Sequence, residues 1–219
     1  MTTANSTLAE QVAVLVESMA KQVSAHALKA FGDEQAGLDA AGAPEGTAMP
    51  GTPMPDGDLL DVHGKPTSLT QARAGKPAVV VFYRGAWCPY CNVALRVYQA
   101  QLVPALAERS VSLIAISPQK PDGSLSVQET NELTFTVVSD PGNQIAKRLG
   151  ILTSPTAEAR EALGLDLTEI NADGTYTVPM PTTVIVDAGG TIRWIDIHPN
   201  YATRTESHQI LHELDSILA

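Results

Sequence analysis

The chain has 219 residues, 44% hydrophobic and 17% charged, a composition that can bury a sizeable core and is unlike that of a disordered chain. Its formal net charge of −10 excludes nucleic acid and anionic membrane as natural partners, since both require a basic surface. No apolar run reaches the roughly 18–20 residues of a membrane span, and residues 1–6 carry no Lys or Arg to open a secretory signal, so a cytoplasmic location is expected.

In chain order, residues 7–31 read as one amphipathic helix. Leu8, Val12, Leu15, Val16, Met19, Val23 and Leu28 recur at helical spacing, and Ser6 or Thr7 is available as a cap. Such a stripe packs on the domain or on a second copy of the chain, as in a homodimer. Residues 37–57 are rich in Ala, Gly and Pro without a period, as in a linker or an extended wrapping segment. Residues 77–83 and 111–116 are continuous apolar runs, expected of buried parallel strands, with a helix from Asn92 to about Arg109 between them. Residues 135–138 form a third strand, and 143–149 a helix closed by Gly150. Residues 182–186 and 191–197 form a hairpin about Ala188-Gly189-Gly190, and 208–218 form a closing helix. Residues 152–177 insert a helix-like stretch at 156–163 and an Asn171-Ala172-Asp173-Gly174 turn, a lid over a site or an added interface.

The chemistry is concentrated at Cys88-Pro89-Tyr90-Cys91, which ends the first core strand and holds both cysteines of the chain. A strand–turn–helix junction offers unpaired N–H groups and the positive end of a helix, which bring a thiol from about 8.5 toward roughly 3.5–7.5. One sulfur then attacks and the other resolves. Pro89 suits the first helical position. Three plainer readings compete. A zinc site needs a second Cys or His pair, and the histidines at 26, 63, 198, 208 and 212 provide one helical pair, His208 and His212, far away in sequence. A structural disulfide across so short a loop would relieve little chain entropy. Two inert buried cysteines are the third, against which stand Arg84 and Trp87 before the pair and Pro89-Tyr90 within it.

With Phe82-Tyr83-Arg84-Gly85-Ala86-Trp87-Cys88-Pro89-Tyr90-Cys91-Asn92, Ile114-Ala115-Ile116-Ser117-Pro118, Val138-Ser139-Asp140 and Pro181-Thr182-Thr183-Val184-Ile185-Val186-Asp187 in this order, residues 53–219 resemble the thioredoxin superfamily. Within it they resemble the peroxiredoxin-like alkyl hydroperoxide reductase/thiol-specific antioxidant family. The resemblance implies an α/β thioredoxin-like three-layer sandwich with a central mixed sheet and an N-terminal helical extension. The chain divides accordingly into an N-terminal amphipathic helix (1–36), a linker (37–57) and the thioredoxin-like domain (58–219).

It also implies a thiol-dependent peroxidase acting on hydrogen peroxide or organic hydroperoxides through a Cys88/Cys91 dithiol–disulfide cycle. The reductant would be a thioredoxin-like protein or a low-molecular-weight thiol, and no metal or organic cofactor is implied. The family's Pro-x-x-x-Thr-x-x-Cys signature, anchored on Cys91, places Cys88 at the Thr and Arg84 at the Pro, and the family arginine near 181 is missing. Arg84 is the candidate substitute. Arg148 and Arg204 rank behind it, as helix-end and loop arginines usually have structural partners. Pro181 resembles the cis-proline facing the cysteine pair of thioredoxins, and Trp87 and Tyr90 are candidate pocket walls. The alternative is a thiol–disulfide oxidoreductase acting on protein or small-molecule disulfides. The thioredoxin pattern makes Cys88 the attacker and the peroxiredoxin signature makes it Cys91.

Overall fold

The computed structural model describes residues 6–218. In chain order the elements are α1 (Leu8–Gln22), α2 (Ala25–Ala41), β1 (Leu59–Asp61), β2 (Pro66–Thr67), α3 (Leu69–Arg73), β3 (Ala78–Phe82) and α4 (Pro89–Glu108). They continue with β4 (Ser112–Ser117), α5 (Pro121–Thr130), β5 (Thr136–Ser139), α6 (Gln144–Leu149), β6 (Leu152–Thr153), α7 (Ala157–Leu163) and α8 (Leu167–Ile170). The chain closes with β7 (Val178–Pro179), β8 (Thr182–Val186), β9 (Ile192–Ile197) and α9 (Ser207–Leu218).

Seven strands form one mixed sheet in the order β2-β1-β5-β4-β3-β8-β9. The central β3 runs parallel to β4 and antiparallel to β8, so it has partners on both edges. Its five residues are all buried, because alternate side chains enter two different cores. Val79 and Val81 face the cluster built with α4, α9 and the start of α1; Ala78, Val80 and Phe82 face the cluster built with α3 and α6. This is the expected three-layer sandwich, and the continuous apolar texture of residues 78–82 follows from coverage on both faces. The β8–β9 hairpin forms in the register Thr182↔Ile197 to Val186↔Ile192, with a bulge at Ile185/Val186.

The N-terminal region departs from the single helix over 7–31. The Ser24 hydroxyl accepts a hydrogen bond from the Ala27 N–H and starts a new helix, α2, which continues through Gly32 and Gly37 to Ala41. A serine on the polar side of an amphipathic stripe reads as solvent-facing, but as an N-cap it divides the stripe in two. The first five residues of the supposed linker are therefore helical. Beyond them the chain wraps the sheet, with Gly51 N–H donating to Ile192 O and Ile192 N–H to Thr52 O. No apolar stripe marks α5, which buries only Val127 and Ser124, the latter bonded to Ser139 at 2.9 Å.

Helix α1 is fixed at its N-terminus. Thr7 and Glu10 form a capping box, and the Glu206 carboxylate accepts from the Leu8 and Ala9 N–H groups at 2.9 and 2.8 Å. Four backbone donors of a first turn need such partners. Leu8, 1% exposed, plugs the helix into the main core against α4. Among the described residues no helix is long and apolar enough to cross a membrane. Truncation of this plug, Leu8→Ala, is expected to cost about 2–5 kcal/mol through lost burial and a residual cavity, measured as a lower midpoint in urea unfolding.

Candidate active site

The cysteines sit where the sheet hands the chain to α4. After β3 the backbone turns through Gly85 at φ 148°, and a Cβ there would lie 2.4 Å from the Trp87 indole Nε1. Only glycine allows that approach. The turn is clamped: Ala86 N–H donates to Gln119 Oε1 at 2.8 Å, and Asn92 Nδ2 donates to Ala86 O at 2.8 Å. Cys88 is the N-cap of α4, Pro89 its first residue and Cys91 its third. The Cys88 side chain does not cap the helix, and its thiol favours the charged form of its neighbour Cys91.

Both sulfurs are buried, each residue 1% exposed. Burial by itself raises a thiol pKa, and for Cys91 that is outweighed. Its sulfur accepts from the Cys88 thiol and the Arg84 backbone N–H, and it lies 3.1 Å from Arg204 Nη2, which donates to it. These contacts, with the Arg84 charge, hold the Cys91 thiol at about 5. Burial and the bond to and charge of Cys91 push Cys88 the other way, well above the ordinary thiol range. The pair is thus biased to carry its negative charge on Cys91, the sulfur that Arg204 Nη2 meets.

Arg204 is held rigidly for this task. Its Nη1 donates to the carbonyls of Tyr201 and Thr203, leaving Nη2 for the sulfur. Arg84, 6% exposed, is stacked between two rings, 3.9 Å from the Tyr201 centroid and 4.8 Å from that of Trp87. Its Nε is buried without a hydrogen-bond partner among the described residues. A pocket of about 230 Å³ opens over Cys88, Arg84, Trp87, Tyr90 and Tyr201. Cys91 lines instead a cavity of about 10 Å³ with Pro181, His198 and Arg204, room for at most about one water.

Residues 50–195 match the model of the AhpC/TSA family, about two thirds of the chain. The chain belongs to the AhpC/TSA family. It is 28% identical over 126 residues to the thiol-disulfide oxidoreductase ResA of Bacillus thuringiensis subsp. konkukian, covering 57% of this chain and 71% of that protein. It is 30% identical over 148 residues to chloroplastic peroxiredoxin Q of Gentiana triflora, covering 66% of this chain and 57% of that protein. In structure it superposes on peroxidoxin BcpB of Mycobacterium tuberculosis with a TM-score of 0.60 at 19% identity, over 77% of this chain and 97% of that one. That likeness establishes the thioredoxin-like fold of the domain.

For an AhpC/TSA member, the expected site residues gather unevenly. Cys88, Cys91, Arg84, Trp87 and Tyr90 meet at the mouth of β3, and Tyr90 packs at 6.0 Å and 57° on Tyr201. Pro181 reaches the Cys91 cavity, but its peptide bond is trans, as no cis bond occurs among the described residues. The likeness to the cis-proline of thioredoxins is therefore corrected: His198 N–H donates to Pro181 O and extends the β8–β9 pairing straight through that position. Arg148 is structural, donating to Asp56 O. Arg204, ranked low, is the guanidinium on Cys91. It stands 113 residues away along the chain, and Tyr201-Ala202-Thr203-Arg204 offers no local period that points at a sulfur. No group of three or more His, Cys, Asp or Glu residues able to hold a metal occurs among the described residues.

Alkylation of Cys91 should fall as pH drops through about 5, where the thiolate is lost. In Arg204→Met the midpoint should rise by about 1–3 pH units, followed by ultraviolet thiolate absorbance.

Proposed function

We propose that the protein is a thiol-dependent peroxidase in which Cys91 attacks and Cys88 resolves. The observation that carries the assignment is the Arg204 Nη2 to Cys91 Sγ contact of 3.1 Å, with the thiol held at about 5. Near neutral pH a nucleophile with that value is charged without a separate base.

Peroxide enters by the pocket over Cys88 and reaches Cys91 as the Cys88 side chain turns to another rotamer. The Cys91 thiolate then attacks the terminal peroxide oxygen. As the sulfur–oxygen bond forms, the oxygen–oxygen bond breaks and its electron pair leaves on the second oxygen, as hydroxide or alkoxide, which takes a proton from water. The Arg84 guanidinium, which lines that pocket, is the donor for that oxygen. A preorganised donor of this kind contributes about 10²–10³ in rate. Two guanidiniums thus divide the work: Arg204 holds the attacking sulfur and Arg84 the departing oxygen.

Cys91 is left as a sulfenic acid. The Cys88 thiol, its hydrogen-bond partner, attacks it to form the Cys88–Cys91 disulfide and release water. An external dithiol of the thioredoxin type, or two low-molecular-weight thiols, restores the pair and leaves as a disulfide. The acidic chain suits no nucleic acid or membrane partner.

The second reading, a thiol–disulfide oxidoreductase, draws on Cys88 being the sulfur that lines the pocket. Against it stands the upward shift of the Cys88 thiol, the reverse of what an outward-facing disulfide attacker needs. Stopped-flow oxidation of reduced protein by peroxide separates them. Cys88→Ser is expected to consume one peroxide and stop as a dimedone-reactive sulfenic acid at Cys91, and Cys91→Ser to lose the fast phase. A fast reaction with a disulfide substrate that needs Cys88 and not Cys91, with peroxide no faster than on a free thiol, sinks the peroxidase reading.

A further inference from the structure

Part of the wall of the pocket over Cys88 lies outside the sandwich. Met19 of α1, Val23 at its C-cap, Phe31 of α2, and Ala162 and Leu163 of α7 close it, with Pro155 at the start of the α7 segment. α1 and α2 lie outside residues 50–195, so their share of the enclosure is an addition to the domain the family model describes, whereas α7 lies within it. The added helices are braced against the domain: Glu34 of α2, 6% exposed, accepts the Thr156 N–H at the cap of α7 at 2.8 Å. The Glu34 carboxylate also meets the Tyr201 hydroxyl, whose ring carries Arg84.

We infer that α1, α2 and α7 form a selectivity pocket for compact, uncharged organic hydroperoxides and that the protein favours them over hydrogen peroxide. The inference rests on the peroxidase reading and names its substrate class. Hydrogen peroxide is small and strongly hydrated; crossing an apolar vestibule strips its water and offers little in return. A hydroperoxide with an aryl or branched alkyl body buries that body against Met19, Phe31 and Leu163 while its oxygens reach Cys88 and Arg84, and Cys91 once the Cys88 side chain turns. The volume, about 230 Å³, lies below the roughly 300–1,000 Å³ of drug-sized sites and fits one ring with a short alkyl branch, not a long acyl chain. Charge points the same way. Glu34 and Arg84 bring opposite charges into one pocket, so a carboxylate on the substrate gains nothing by entering.

The test is kcat/KM of the full chain, with dithiothreitol as reductant, for cumene hydroperoxide, hydrogen peroxide and linoleic acid hydroperoxide. Cumene hydroperoxide is expected to lead hydrogen peroxide by about tenfold or more, as contacts of one or a few methylene groups are worth about 10–200-fold, and to lead the long-chain acid. In Ala162→Trp, which fills the pocket from α7, the cumene to hydrogen peroxide ratio should fall about tenfold or more; Val23→Trp fills it from the α1–α2 junction and should do the same. Hydrogen peroxide turned over as well as cumene hydroperoxide, or an unchanged ratio in a folded filling variant, overturns this inference and leaves the peroxidase reading intact. Faster turnover of the long-chain acid overturns the compact, uncharged substrate class. Turnover of none of the three, with a disulfide reduced quickly, overturns both.

Discussion

A thiolate that water cannot reach must find its counter-charge inside the protein, and the architecture around Cys91 follows from that requirement. Burying an isolated charge is far costlier than burying a hydrogen-bonded, paired one. Here the counter-charge is Arg204, assisted by the Arg84 amide and the Cys88 thiol, at the positive end of the twenty-residue helix α4. Because the Cys88 proton is one of the donors, the two cysteines are unequal before any substrate arrives. In the proposed cycle the same asymmetry sets their order of action: the charged sulfur attacks, and the protonated neighbour beside it closes the disulfide.

The short segment between β9 and α9 links this charge to the rest of the molecule. Tyr201 supports Arg84, Arg204 holds Cys91, and two residues on Glu206 receives the first N–H groups of α1. The helix that walls the pocket is thus tied to the loop that sets the sulfur charge. Tyr98, buried in α4, donates its hydroxyl to Thr205 O at 2.7 Å and fixes the loop from below. A rearrangement of this segment on oxidation would be felt at once by both arginines and by α1.

Much of the fold was legible because its signals are local. Residues 78–82 are apolar on both faces since both are covered, and the β8–β9 hairpin announces itself by Gly189-Gly190 between two runs rich in β-branched residues. The cysteine pair and its strand–turn–helix setting were legible for the same reason. What escaped was long-range or polar. The stripe along residues 8–28 says that the N-terminus packs, but not that it packs over the cysteines, and Ser24 divides it with one hydroxyl. Arg204 looks like any loop arginine, since nothing in its neighbours encodes a sulfur brought alongside by the β8–β9 turn and its return. Pro181 misled in the opposite direction: its place before a core strand matches a cis-proline site, while the backbone there continues the strand pairing.

The central claim is that the second cysteine of the pair, not the first, carries the charge. The most direct measurement is an NMR titration of the two cysteine Cβ carbons in isotope-labelled, fully reduced protein. The account predicts that the Cys91 carbon moves through a midpoint of about 5 while the Cys88 carbon stays at its thiol position to well above neutral pH. An acid-range titration seen at Cys88, with Cys91 remaining a thiol, would contradict it and return the attacking role to the first cysteine.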